Sequence, residues 1–204
     1  MSPTPKPSKT EQILDGAIAE FLSHGFASAS MDRIASQAGV SKATVYSHFQ
    51  SKENLFIALI QHLVKDKMLM PLELEQLVQV IDVPPALFLR KLAQQMLKRP
   101  TQDPELVDFI RMVFGESGRF PELAKAFIST LTATGLRSLT FYFKTCPHLD
   151  VADPEATARV FMGTLAHFMI TQHILYGAEI VPMEEERLIN TLVDLVTRKA
   201  TASE

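Results

Sequence analysis

The residues whose types and spacing could do chemistry are concentrated between Gly39 and Phe56, in "GVSKATVYSHFQSKENLF". Lys42 and Lys52 bring positive charge, Thr44 and Ser47 bring hydroxyls, Tyr46 a phenol and His48 an imidazole. Ser41 and Ser51 stand where a side-chain oxygen can cap the first turn of a helix. Such a start presents free N–H groups and the positive end of the helix dipole, which favours a phosphate. A short helix opening at Ser41, with Lys42 in its first turn, therefore suits the grip of a polyanionic backbone. Val45 and Phe49, four residues apart, would anchor its inner face. Lys42, Ala43, Thr44 and Ser47 are placed to reach base edges, where the methyl of Ala43 either meets a thymine methyl or holds the backbones further apart. Ser30 is a further phosphate candidate. The competing reading is plain capping by Ser30, Ser41 and Ser51 and partial core packing by Tyr46. Capping and a phosphate on the neighbouring amides are compatible.

The elements that must hold these residues are legible as helices. Ser8 and Glu11 form a capping box before a face of Ile13, Ala17 and Phe21. That first helix is expected to stop at His24-Gly25, with Gly25 as a left-handed C-terminal cap. Ser30 caps "MDRIASQA", Gly39 ends it, Ser41 caps "KATVYSHF" and Ser51 caps the next helix. Two short helices joined at Gly39 after a longer one have helix-turn-helix spacing. Further on, Pro71 should halt or bend the fourth helix, and "PLELEQLVQVIDV" reads as a helical continuation or linker. Pro85, Pro104, Pro121 and Pro154 fit first helical turns, and Pro100 is expected to close the helix begun at Pro85. A final amphipathic helix is "MEEERLINTLVDLVTRK". The expected fold is all-α, with about nine helices and no strand. The expected division is a flexible arm over 1–7, a helix-turn-helix domain over 8–70 and a helical domain over 71–204.

Composition bounds the function. The net charge is −3, and residues 1–70 hold seven basic against six acidic side chains, so the acidic excess lies downstream. Any affinity for nucleic acid must then come from a local patch. The single cysteine, Cys146, excludes an intramolecular disulfide or a cysteine zinc cluster within one chain and fits a cytoplasmic setting. "MSPTPKPSKTEQ" lacks the apolar segment of a secretory signal. His167 and His173 are six apart, off the three-or-four spacing of a helical metal face, and no phosphate loop, nucleophile elbow or dinucleotide fingerprint is found. No catalytic residue, metal or cofactor is assigned.

From Val160 to Ala178 there is no charged residue. Thr164, His167, Thr171, Gln172 and His173 interrupt the run, which argues against a membrane span. A helix without a charged face should be buried nearly all round. The expectation is a homodimer seam built from Phe161, Gly163, Leu165 and Ala166 together with Leu188, Leu192 and Leu195 of the last helix. The alternative is the central helix of a monomeric bundle.

Gly25 to Phe56, "GFASASMDRIASQAGVSKATVYSHFQSKENLF", resembles the DNA-binding segment of the tetracycline-repressor (TetR) family of bacterial regulators. The pattern "MDxIAxxAGVSKGTLYxHFxSKExL" is matched at many fixed positions, with Ala29 in place of a usual threonine and Ala43 in place of a frequent glycine. The resemblance implies that Lys42, Thr44, Tyr46, His48 and Lys52 contact DNA, mostly its backbone. "FIRMVFGESGRFPELAKAF", Phe109 to Phe127, resembles the AefR-like and AcrR-like branch. It implies a ligand cavity, for which Phe88, Met96, Phe109, Met112, Glu116, Phe141, Phe168 and Gln172 are candidates, with Arg111 and His167 as further polar handles; the competing readings are ordinary core for the large apolar side chains, a surface pair for Arg111 and Glu116, and the dimer seam or core for His167. The implied function is a repressor released from a palindromic double-stranded operator by a small apolar or amphipathic effector. The rivals are an activator of the same fold and a helical interaction module without a DNA role.

Overall fold

The computed structural model describes residues 7–63 and 80–198. Every regular element among them is helical. Most of the arm, the bend at Pro71 and the segment "PLELEQLVQVIDV" up to Gln79 lie outside the described residues. Packing divides the chain into two units. One joins Met1–Asp66 to Asp108–Thr130, and the other joins Lys67–Val107 to Leu131–Glu204. The boundary expected after residue 70 does not foresee that the segment 108–130 packs with the N-terminal helices.

The first unit begins with α1 (Lys9–Ser28). Its capping box is closed: the Ser8 hydroxyl accepts from Glu11 N at 3.2 Å and the Glu11 carboxylate accepts from Ser8 N at 2.6 Å. These bonds hold the Glu11 carboxyl below its ordinary range. The expected stop at Gly25 is a kink instead. Gly25 has φ 71° and ψ 162°, outside the left-handed helical region, and one further turn carries Phe26 inward. That backbone region is open to glycine almost alone.

Then come α2 (Met31–Gln37), α3 (Lys42–Phe49) and α4 (Lys52–Leu63). Gly39, at φ 63°, makes the turn between α2 and α3, and Val40 N donates to Ala35 O at 3.0 Å. This 6→1 bond satisfies a carbonyl that the helix end would leave open. Gly16 has a different task. A Cβ there would lie 2.9 Å from Ala38 N and 3.1 Å from Ile34 O, so α1 and α2 touch backbone to backbone. Gly16→Ala is expected to cost about 1–3 kcal/mol, because the obstacle is main chain and cannot rotate away. Urea unfolding checks this, and an unchanged midpoint would contradict it.

The core of this unit is aromatic. Phe21, Phe26 and Phe56 meet at centroid distances of 5.1–5.6 Å. Phe120 approaches Phe26 at 4.8 Å, and Phe109 stacks on Phe56 at 5.3 Å. Phe109 comes from α6 (Pro104–Glu116), and α7 (Pro121–Phe127) packs on α4.

In the second unit, α5 (Pro85–Gln102), α8 (Ala133–Thr145), α9 (Pro154–Met169) and α10 (Glu185–Thr197) surround one apolar core. Leu89 and Leu92, Leu139 and Tyr142, Phe161 and Leu165, and Ile189 and Leu192 come from these four helices in turn. Burial holds the Tyr142 phenol neutral, well above its usual range. Helix α5 runs two residues past Pro100, contrary to the expected closure there. A proline near a helix end forfeits only the last bonds of the ladder. A π-helical stretch, Ile128–Thr132, leads from α7 into α8, and another, Ile170–Ile174, extends α9.

Candidate nucleic-acid interface

Helix α3 presents its outer face as the spacing anticipates. Val45 and Phe49 are buried, whereas Lys42, Ala43, Tyr46, Ser47 and His48 are exposed and Thr44 is half-buried. The helix start is locked by side chains. Ser41 Oγ accepts from Thr44 N at 3.1 Å and lies 2.8 Å from Thr44 Oγ1. Ser47 donates to Thr44 O at 2.8 Å, and His48 Nδ1 lies 3.4 Å from the Thr10 hydroxyl at the start of α1. Tyr46 is 42 % exposed, with the Lys42 ammonium 5.8 Å from its ring centroid.

The cations of this region are less free than the sequence suggests. Lys42 Nζ lies 2.7 Å from Asp32 Oδ1, and the bond raises its pKa. Both groups are well exposed, so the ammonium can exchange this partner for a phosphate at little cost. Lys52, expected at the DNA backbone, is engaged within the unit. Its ammonium donates to three main-chain carbonyls, Phe26 O at 2.7 Å and Ala27 O and Ala29 O at 3.0 Å. It also lies 4.7 Å from the Phe26 ring centroid. An ammonium has three N–H donors. All three are directed at the end of α1, where Lys52 acts as a clamp.

The sequence reading misses the group that sets α2. Glu20 on α1 is fully buried. Its Oε1 accepts from Ser30 N at 3.1 Å and from Arg33 Nε at 2.6 Å. Its Oε2 lies 3.4 Å from Gln37 Nε2 and 3.2 Å from His24 Nδ1. Arg33 also donates to Ser28 O. Ser30 is therefore fixed twice, since its hydroxyl in turn accepts from Arg33 N at 3.2 Å. The only sequence signal was a carboxylate on the otherwise apolar inner face of α1, beside Ala17 and Phe21.

The second unit holds a cavity of about 310 Å³. Its walls include Met96 of α5, Leu136 of α8 and Met162 and Met169 of α9, with Arg159 as the charged member. Of the eight pocket candidates only Met96 lines it. Phe88 rests on Tyr142 at 4.4 Å, Phe141 packs on the helical core, and Phe168 is buried in that core. The Gln172 amide donates to Val181 O at 2.9 Å. Phe109, Met112 and Glu116 belong to the segment that packs with the N-terminal helices, and Arg111 pairs there with Asp108 at 2.6 Å. The dimer candidates also divide. Phe161, Leu165 and Leu192 are buried within their own unit, Leu188 and Ala166 are half-buried, and Gly163 and Leu195 are exposed.

Comparison with known proteins agrees with this architecture. The family model described as bacterial regulatory proteins, tetR family, matches residues 13–59. A second, the C-terminal domain of AefR-like transcriptional repressors, matches residues 88–199. The HTH-type transcriptional activator FasR of Mycolicibacterium smegmatis is 42% identical over 57 residues, 28% of this chain and 26% of FasR. The curated relatives are thus matched over only about a quarter of their length. The crystal structure of a TetR family transcriptional regulator from Pseudomonas syringae pv. tomato is similar over 94% of this chain and 96% of that one, at 29% identity and a TM-score of 0.68. The flavonoid-responsive regulator FrrA is 30% identical with a TM-score of 0.66, over 92% of this chain and 94% of FrrA. With both halves matched and the helix-turn-helix in place, the chain belongs to the TetR family of transcriptional regulators.

Proposed function

We propose that this regulator is a cytoplasmic repressor that holds a near-palindromic operator as a homodimer and releases it when a small apolar or amphipathic molecule fills the cavity of the second unit. The observation that carries the DNA-binding part is the exposed face of α3. Lys42, Ala43, Thr44, Tyr46 and Ser47 stand outward on a helix pinned from behind by Val45 and Phe49. Ser41, Thr44 and the N–H groups of the first turn favour phosphate, and Lys42, Ala43 and Ser47 are left for base edges. His48 and Ser30 flank that surface. The repressor sense is supported by the AefR-like repressor domain, and release by a small molecule by the responsiveness to flavonoids that FrrA carries in its name. The reading calls for no metal, cofactor or catalytic residue. Release follows if the effector prefers the state in which the two reading helices are wrongly spaced for DNA.

The proposed dimer face keeps the exposed members of the expected seam, Gly163 and Leu195, and adds Val160 and His167. On α9, Val160, Gly163 and His167 share one outward row, and Val160 is 57 % exposed. On α10, Leu195 is 64 % exposed. Both apolar side chains lose contact with water if a second copy covers them. Val160→Asp combined with Leu195→Asp is expected to convert a dimer into a monomer at micromolar concentration. Sedimentation velocity reads this directly, and a variant that stays dimeric would contradict the face.

The proposal as a whole is tested by fluorescence anisotropy on a selected operator duplex, followed by titration of effector. Tight, salt-dependent binding that a saturating effector weakens at least tenfold is the expected result. An effector that occupies the protein without changing operator affinity would contradict release.

A further inference from the structure

We infer that the cavity of the second unit takes a medium-chain aliphatic carboxylate, with its chain among the methionines and its head on Arg159. The inference deepens the effector reading above and rests on it. The volume sets the size. At roughly 30 Å³ for a group the size of water, about 310 Å³ holds on the order of ten non-hydrogen atoms. Length gives the same answer. Arg159 and Met169 both line the cavity on α9, ten residues apart and hence roughly 15 Å along the axis at the α-helical rise. An extended chain advances about 1.2 Å per bond, so that span suits roughly a dozen atoms in a line.

The chemistry of the wall sets the class. Met96, Met162 and Met169 are unbranched and adaptable, which suits a flexible chain. Leu97, Leu136 and Leu165 are among the further side chains of a largely apolar surface that gives water few partners.

Arg159 is the one charge on that wall, and its side chain is well exposed, so it stands at the mouth. Its Nε and Nη2 both donate to a single oxygen, Glu155 Oε1, at 3.1 and 2.7 Å. A guanidinium has five N–H donors. Three are left for a second carboxylate. Glu155 also repels any anion that arrives. The two neighbours therefore have opposite expected effects on an acid and none on the matching alcohol.

The experiment is calorimetric titration of the DNA-free full chain with decanoate and with decanol, for the wild type, Arg159→Gln and Glu155→Gln. Circular dichroism confirms that each variant is folded. Decanoate is expected to bind the wild type at least tenfold more tightly than decanol. Arg159→Gln should remove that preference, Glu155→Gln should strengthen decanoate, and decanol should change by less than twofold throughout. Equal affinity for acid and alcohol in the wild type, retained decanoate affinity in Arg159→Gln, or no binding of either probe would overturn the inference. The regulator reading fails separately, if decanoate binds as described and leaves operator affinity unchanged.

Discussion

Replacing Lys52 by methionine is expected to lower stability and to leave the salt dependence of DNA binding where it was. The ammonium closes three carbonyls at the end of α1, and the sequence places no basic residue in the last turn of that helix to take over. Charge-assisted hydrogen bonds contribute about 1.5–3 kcal/mol each, and bonds that share one donor group are not additive. A loss of about 3 kcal/mol is expected, which for a chain of this size lowers Tm by roughly 6–12 °C. Methionine keeps an apolar stem against Phe26, so the loss isolates the ammonium. Lys42→Ala should behave in the opposite way. Its ammonium is on the surface and paired only with Asp32. Stability should hardly change, while the slope of log K against log salt should flatten by about 0.9 for each phosphate released, near two per dimer. A flattened slope in Lys52→Met, with unaltered Tm, would restore Lys52 to the interface and refute the clamp.

The second large effect belongs to Glu20. Glu20→Leu removes the acceptor of Ser30 N, Arg33 Nε and Gln37 Nε2 together. Breaking one partner of a buried ionic pair typically costs about 3–5 kcal/mol, and the half-exposed Arg33 places this case at the lower end, about 3 kcal/mol. The consequence for DNA has a diagnostic sign. Removing a negative charge behind a phosphate-binding surface should tighten binding if charge alone decides. The structure argues the reverse, because Glu20 fixes the start of α2, on which α3 packs. Operator affinity is expected to fall by about 10- to 100-fold, equivalent to about 1.4–2.8 kcal/mol, with the salt slope unchanged. Glu20→Gln retains an acceptor oxygen and should fall between. Tighter binding by Glu20→Leu, measured by anisotropy below its unfolding temperature, would show that position matters less than charge.

Local signals in the sequence are those that survive in the structure. Pro85, Pro104, Pro121 and Pro154 each open a helix, and Ser8, Ser30, Ser41, Ser51 and Asp153 each accept from a main-chain N–H in the first turn. Such bonds join residues three apart, so their chemistry is written in a short window. Val45 and Phe49 were legible for the same reason. What was not legible depends on partners far along the chain. The carbonyls that claim Lys52 lie 23 to 26 residues upstream, and nothing near Lys52 announces them. Phe109 has the composition of a pocket residue but stacks on Phe56, 53 positions away. Helix α9 was ambiguous for a different reason. Charges normally mark the outer face, and between Val160 and Ala178 there are none. Without that mark the row of Phe161 and Leu165 cannot be told from the row of Val160, Gly163 and His167, and the expected seam draws on both.

The central claim is that the outer face of α3 reads DNA. Selection of a randomised duplex pool by the purified full chain tests it most directly, repeated with the double variant Lys42→Ala, Tyr46→Ala. The wild type is expected to enrich a near-palindrome whose half-sites are about one helical turn apart or a multiple of it, and the double variant is expected to enrich nothing above the starting pool. Enrichment of the same sequence with equal affinity by the double variant, or no enrichment by the wild type, would contradict the claim.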